Sequence, residues 1–273
     1  MNLLELCRQN RDLLSSRFEN LLNSADDDAR PLLLAFAEAV KENGRIGANM
    51  RAMVLLDFLE TDRWLNIHQW AVKISTRGGK PVEEILREKL KHYYDRRMAF
   101  DGFFESGFGF RYGALNIGGL GAQRFGEYCA VLRKETHAQC GVGYLSGDSL
   151  NHYMTWGVKI NQHKLQSECA NEAAKHMLLT LKHASELTGK PPLQWPGLVC
   201  NADCYAEAII VEGGVTATDL SCVRIGKLDF DLYFEYAFLE FGERLSELDR
   251  HRVDCFATID DRLRALGISW ETV

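Results

Sequence analysis

What the chain lacks narrows it first. No stretch of 18 apolar residues occurs in its 273 residues, so no membrane-spanning helix is expected. The opening MNLLELCRQNRDLL carries charges inside its apolar run and does not read as a cleaved secretion signal. There is no GxxxxGKS or GxxxxGKT, which excludes a phosphate loop of that type. The glycines at 113, 118, 119 and 121 do not follow the strand–turn–helix order of a dinucleotide fingerprint, so a doubly wound cofactor fold is not expected. HExxH and GxSxG are absent too. Cys200 and Cys204 are close, but no second close pair follows, as a structural zinc site would need. The remaining cysteines, Cys7, Cys129, Cys140, Cys169, Cys222 and Cys255, are scattered through a chain too large to need staples. Free thiols are the expectation. Neither a repeat nor a low-complexity tract is present.

The composition is that of a globular protein, 46% hydrophobic and 26% charged. A net charge of -6 argues against broad attraction to nucleic acid. The length suits one large domain, or one domain with a helical cap. The stretch with the most individual texture is Met98 to Leu132, where aromatics, glycines and charges interleave. Glycine this dense beside aromatics suggests backbone turned tightly or approached closely by a ligand. It reads as a cleft, or as a loop packed by its own aromatics.

Residues 1–60 are helical in pattern: a first helical run, a second helix led by Asp27 or Asp28 and Pro31, and a third over Ala48 to Leu59. Trp64 to Ile74 nears alternation and reads as a strand. Pro81 to Tyr94 reads as a helix, with Glu83 and Glu84 in its first turn. Ala99 to Phe104, Tyr128 to Leu132, Gly141 to Leu145, the YAEAIIV run and Leu220 to Ile225 read as strands. Ser167 to Leu187 reads as a helix. Leu228 to Phe241 is ambiguous. Glu243 to Leu266 reads as a helix with a possible break at Cys255 to Thr258, ended near Gly267.

Polar residues inside apolar runs are the candidate chemistry. Glu207 within CYAEAIIV must face solvent or a cleft with a partner, because an unpaired carboxylate in the core is costly. His68 is either a structural histidine or a ligand contact. Arg111, beside Tyr112 and Gly113, could clamp a phosphate or carboxylate, or merely solvate its loop. Asp148 and Ser149 are either a cap or part of a site.

These signals together resemble a family. His68, FFESG at 103–107, RYGALN at 111–116, RFGEYCAVL at 124–132, GDS at 147–149 and YAEAIIVEGGV at 205–215 fall in an order similar to bacterial mono-ADP-ribosyltransferase-like effectors. That group includes a type III effector acting on a threonine of host ubiquitin. The resemblance covers about residues 63–225. It implies an α+β fold, an ADP-ribosyltransferase-like split β-sheet core over residues 61–273 with an N-terminal helical lobe over 1–60. It implies NAD as substrate and ubiquitin, or another small folded protein, as acceptor. Interference with ubiquitination would follow. A signal-independent route into a host cytosol would bring it there; otherwise it would stay in the cytoplasm. No metal, nucleic acid or membrane partner is implied.

The resemblance also implies roles. Catalysis falls to Glu207, with His68 on the first core strand and Ser106 on the second. NAD would be held by His68, Arg63, Phe103, Phe104, Gly107, Arg111, Tyr112, Asp148 and Tyr205. Arg63 or Arg111 could take the ribose or phosphate role given to His68. Tyr205 stands where arginine-modifying members carry Glu or Gln, which favours a hydroxyl acceptor. The other readings are an NAD hydrolase, a cysteine-dependent protease or deamidase using a residue such as Cys129, and a binding module using the same glycine-aromatic groove. The acceptor could meet the N-terminal helices or the Asn151 to Lys164 segment.

Overall fold

The computed structural model describes residues 1–155, 158–238 and 246–273, and the side chains at 238, 248 and 249 are left aside. Three helices come first: α1 (Leu3–Gln9), α2 (Arg11–Ser24) and α3 (Ala29–Asn43). Strand β1 (Arg45–Met50) and helices α4 (Ala52–Thr61), α5 (Ile67–Gly78), α6 (Val82–Leu90) and α7 (Tyr94–Phe103) follow. The middle holds β2 (Arg111–Asn116), β3 (Tyr128–Leu132), α8 (Lys134–Cys140), β4 (Val142–Leu145), β5 (Met154–Thr155), β6 (Lys159–Ile160), α9 (Gln162–Ser167) and β7 (Cys169–Asn171). The chain then gives α10 (Lys175–Leu187), α11 (Trp195–Val199), β8 (Glu207–Ile210), β9 (Leu220–Ile225), α12 (Lys227–Phe238), α13 (Glu247–Leu266) and β10 (Ser269–Thr272). No helix of the described residues is long and apolar enough to cross a membrane.

The fold is mixed α+β, with an N-terminal helical region and a central mixed sheet. Eight strands form one sheet in the order β10-β9-β3-β1-β2-β8-β4-β7. Only β10 and β9 run parallel; the other neighbours are antiparallel. The sheet is continuous, which corrects the expectation of a split core. Hydrogen bonding from β3 through β1 and β2 to β8 bridges the middle, where a split would lie.

Alternation along the strands sends side chains to two faces. Ile46, Ala48 and Met50 of β1 join the larger core, with Ala130, Val223, Ala208 and Tyr144 of neighbouring strands. Helices α3, α4, α10 and α13 cover that face through Phe36, Leu55, Leu178 and Phe256. On the other face α1 and α7, with the Phe104 cap of α7, bury Leu3, Leu6, Phe100 and Phe104 against Leu145 and Ile209.

Several expected elements change type. Of the expected strand Trp64 to Ile74, residues 67–74 lie in helix α5 and 64–66 lead into it. Its start is a capping box: the Asn66 side chain accepts from the Gln69 amide at 2.8 Å, and the Gln69 side chain accepts from the Asn66 amide at 3.2 Å. Ala99 to Phe104 lies mostly in α7 rather than a strand. The third N-terminal helix begins only at Ala52, because residues 45–50 form β1 between β2 and β3. Arg111, Tyr112 and Gly113, expected in a loop, open the strand β2. The helix expected from Ser167 begins at Lys175, after the short strand β7. Over its described part the ambiguous Leu228 to Phe241 run is helical, and residues 239–241 lie outside the described residues. Helix α13 is unbroken through Cys255 to Thr258, while 243–245 of the expected helix are also outside the described residues. Strands β3, β4, β8 and β9 fall where the apolar runs place them.

Candidate functional site

A cleft of about 450 Å³ opens on the α7 face of the sheet. Its floor comes from three adjacent strands: Gly47 and Asn49 of β1, Tyr112 to Ala114 of β2, and Glu207 of β8. The register puts Gly47 opposite Ala114 and Ala114 opposite Glu207. A glycine, an alanine and a carboxylate therefore stand in a row across the sheet, leaving room above them. Tyr93 and Arg97 close one side. Ala122, Arg124 and Phe125 close another, and Asp148, Leu150, Asn151 and Tyr205 complete the rim.

The glycine-rich segment between β2 and β3 is a built wall. Asn116 Oδ1 accepts from the amides of Gly118 (2.9 Å) and Gly119 (2.8 Å), and its Nδ2 donates to the Gly119 carbonyl at 2.7 Å. Asn49 Nδ2 donates to the carbonyls of Leu120 (2.9 Å) and Gly126 (3.0 Å). Gly121 takes a φ of 74°, and a Cβ there would lie 2.2 Å from Asn49 Oδ1. Only glycine fits that point without displacing Asn49.

Glu207 is 4% exposed, and its Oε2 accepts from the Ser149 amide at 2.9 Å. Burial pushes its carboxyl up to about 7; Asp148 adds to this, while Arg97 and the Ser149 bond oppose it. Arg97 stays charged despite burial because Tyr112, Asp101 and Glu207 surround it. Its guanidinium lies 3.7 Å from the Tyr112 ring centre. Asp101 is wholly buried and accepts from Arg97 Nη1 at 3.1 Å and from the Tyr112 hydroxyl. At the mouth, Arg124 donates to Tyr205 at 3.1 Å and pairs with Asp148 at 3.2 Å. Tyr205 donates to Asp148 at 2.5 Å, and Asp148 also caps the turn through the amides of Leu150 and Asn151. Burial, with Glu207 and Asp148 nearby, pushes the Tyr205 phenol up, so it remains a donor.

Of the residues singled out in the sequence, the structure brings together Glu207, Tyr112, Asp148 and Tyr205. The others lie elsewhere. His68 sits on α5, not on a core strand, with Nε2 2.7 Å from Asp101 Oδ2. Ser106 is exposed, in a left-handed turn after α7. Phe103 and Phe104 pack with Phe110 in the smaller core rather than over a ligand. Gly107 is a close approach: a Cβ would meet the Asp101 carbonyl at 2.0 Å. Arg111 points away from the cleft and ties loops together, donating to the carbonyls of Trp64 (2.7 Å) and Gly213 (3.0 Å). Arg63 lines a separate small hollow with Trp64 and Trp70. Cys129 is fully buried and its thiol is pushed up to about 12, unlike a nucleophilic cysteine.

The sequence reading missed Arg97, Arg124, Asn49 and Asp101. Arg97 and Asp101 are spaced i,i+4, a pairing signal on a helix, but the apolar pattern of Ala99 to Phe104 reads as a strand and hides it. No family model matches the chain, and no curated protein matches it in sequence.

Proposed function

We propose that this chain consumes NAD, releasing nicotinamide and passing ADP-ribose to a hydroxyl side chain of a protein acceptor. One observation carries the reading: Glu207, buried in protein yet lining the cleft, beside the small residues Ala114 and Gly47. The volume lies in the range of small-molecule sites, about 300–1,000 Å³. Tyr93, Tyr112, Tyr205 and Phe125 offer aromatic surfaces for a base or nicotinamide ring. Arg124 at the mouth offers a cation for a phosphate.

In this chemistry the bond from ribose C1′ to the nicotinamide nitrogen breaks, and its electron pair leaves with nicotinamide. Positive charge develops on the ribose. An ionised Glu207 hydrogen-bonded to a ribose hydroxyl stabilises that charge where it appears. The acceptor oxygen then bonds to C1′, and its proton passes to Glu207. Enclosure of Glu207 strengthens these interactions by lowering the local dielectric. His68 and Ser106 take no direct part in this scheme, because neither lines the cleft. Delivery into a host cell, with threonine of ubiquitin as the acceptor, is the narrower form of the proposal.

The test is the intact mass of ubiquitin after incubation with the protein and NAD, with released nicotinamide measured in parallel. A gain of one ADP-ribosyl group, lost with Glu207→Gln, supports the full reading. Nicotinamide without added mass on ubiquitin leaves hydrolysis or another acceptor. The depth of Glu207 favours water as that competing acceptor, since water reaches a recessed carboxylate more readily than a folded protein does. Absence of nicotinamide overturns the reading.

A further inference from the structure

Asp101, on α7, links two residues of the cleft to one on α5. Its Oδ1 accepts from Arg97 Nη1 at 3.1 Å and from the Tyr112 hydroxyl, two residues that line the cleft. Its Oδ2 lies 2.7 Å from Nε2 of His68, on α5 outside the cleft. A wholly buried carboxylate with three such partners is costly to assemble unless each is fixed. Arg97 and Asp101 are four residues apart on one helix, so their pairing is set by the helix itself. Arg97 thus forms its ion pair with Asp101, while Glu207 takes its hydrogen bond from the Ser149 amide. Arg97 Nη2 donates to Ser149 Oγ at 3.4 Å, on the residue whose amide binds Glu207.

We propose that Asp101 is a positioning residue that holds Arg97 back from Glu207 and thereby sets the pH at which the cleft carboxylate ionises. The charged and titratable groups facing Glu207 are Arg97 on α7, Asp148 after β4, Tyr112 on β2 and Tyr205 before β8. Those facing Asp101 are His68, Arg97 and Tyr112. Arg97 is the only cation in either set that is permanently charged, and the two carboxylates compete for it. Were Arg97 paired with Glu207, that carboxyl would ionise well below neutrality. With Arg97 committed to Asp101, burial prevails and Glu207 stays poised near neutral pH. His68 feeds the same balance from outside, because a donor on Oδ2 softens the hold of Asp101 on Arg97.

The inference deepens the reading of Glu207 as the reacting carboxylate, but its first test needs no NAD. The protein is labelled with ¹³C at the glutamate side-chain carboxyl, and the Glu207 resonance is assigned by its loss in Glu207→Gln. Its titration is followed in the wild type, Asp101→Asn and His68→Phe. Asp101→Asn keeps the shape and removes the charge; the Glu207 midpoint is expected to fall by about one pH unit or more. His68→Phe keeps a ring against Phe108 and removes the donor to Asp101; the midpoint is expected to rise. An unchanged or higher midpoint in folded Asp101→Asn overturns the proposal. If Asp101→Asn does not fold, His68→Phe decides, and a midpoint that falls or stays put overturns it. The acid limb of nicotinamide release is expected to move with each midpoint. If the midpoints move as stated but the wild type releases no nicotinamide, Asp101 keeps its role and the NAD reading falls.

Discussion

The Ser149 amide donates to Glu207 Oε2 at 2.9 Å, tying the turn after β4 to β8. The adjacent residue, Asp148, is bound to Tyr205, which stands two positions before Glu207. One short turn after β4 therefore positions both the carboxylate and the phenol at the start of β8. Glu207→Gln keeps an acceptor for the Ser149 amide and removes only the charge. Nicotinamide release is expected to fall by roughly 10²-fold or more, the usual scale for loss of a transition-state electrostatic partner. The circular dichroism spectrum should stay native. A folded variant with undiminished release would remove Glu207 from the reaction.

The same substitution should stabilise the protein in a pH-dependent way. The folded-state value of about 7 is above the ordinary 4.5, so the unfolded chain gives up its proton first as pH rises. Stability from this group is intact below about 4.5, falls between 4.5 and 7, and is flat above. The full cost is about 3 kcal/mol as an order of magnitude. Glu207→Gln should therefore gain on the wild type across that window, read as a melting-temperature difference larger at pH 8 than at pH 5. An equal difference at both would mean that the carboxyl is not held up by burial.

Arg124 is predicted to govern binding rather than chemistry. It stands on the rim of the cleft with its side chain 37% exposed, donating to Tyr205 and paired with Asp148. Arg124→Ala leaves Asp148 still bonded to Tyr205, so the rim should persist. KM for NAD is expected to rise about tenfold, with kcat little changed, as for one lost charge-assisted contact. A fall in kcat with KM constant would place Arg124 in the reacting part instead.

Gly121 tests the wall. Gly121→Ala meets both a left-handed φ of 74° and the Asn49 amide oxygen at 2.2 Å. A cost of about 2 kcal/mol or more is expected in urea unfolding, since backbone strain alone contributes about 1–2 kcal/mol. Gly109→Ala is the control, because nothing lies within 4 Å of its added carbon. Similar losses for both would mean that the segment is not held as the Asn49 and Asn116 bonds imply.

Legibility in the sequence followed burial. Strand β3 is buried at all five residues, and β4 and β8 at all four, so each reads as a continuous apolar run. Glu207 stood out because it interrupts such a run. Strand β1 was hidden for the opposite reason: Gly47 and Asn49 face the cleft, and their small or polar character erased the pattern. In β2, Arg111 and Tyr112 looked like turn chemistry, although one ties loops on the far face and the other lines the cleft. Helix α5 was mistaken because its aromatic and β-branched residues outweighed the Asn66–Gln69 cap, and this put His68 on the wrong kind of element. Arg97 and Arg124 were invisible as site residues because arginines in a helix or a glycine loop ordinarily face water.

The far face of the sheet carries its own charged cluster. Glu172 accepts from Tyr144 and from Lys175, each at 2.5 Å, and faces His137 Nδ1 at 3.4 Å. The Ile46 amide donates to His137 Nε2 at 3.2 Å, which leaves the ring proton on Nδ1, towards Glu172. The cluster therefore fastens β1, the strand that supplies Gly47 and Asn49 to the cleft floor, to β4 and the start of α10. Burial opposes the Glu172 charge, but His137, Lys175 and Tyr144 outweigh it and draw its carboxyl down to about 2. This stability is present above the ordinary 4.5 and is lost as pH falls towards 2. Because the side chain is 34% exposed, solvent screening reduces the effect to about 1–2 kcal/mol. Glu172→Gln should cost that much in urea unfolding at pH 7 and clearly less at pH 3. A cost that does not shrink in acid would assign the role of Glu172 to shape and hydrogen bonding, with its charge contributing little.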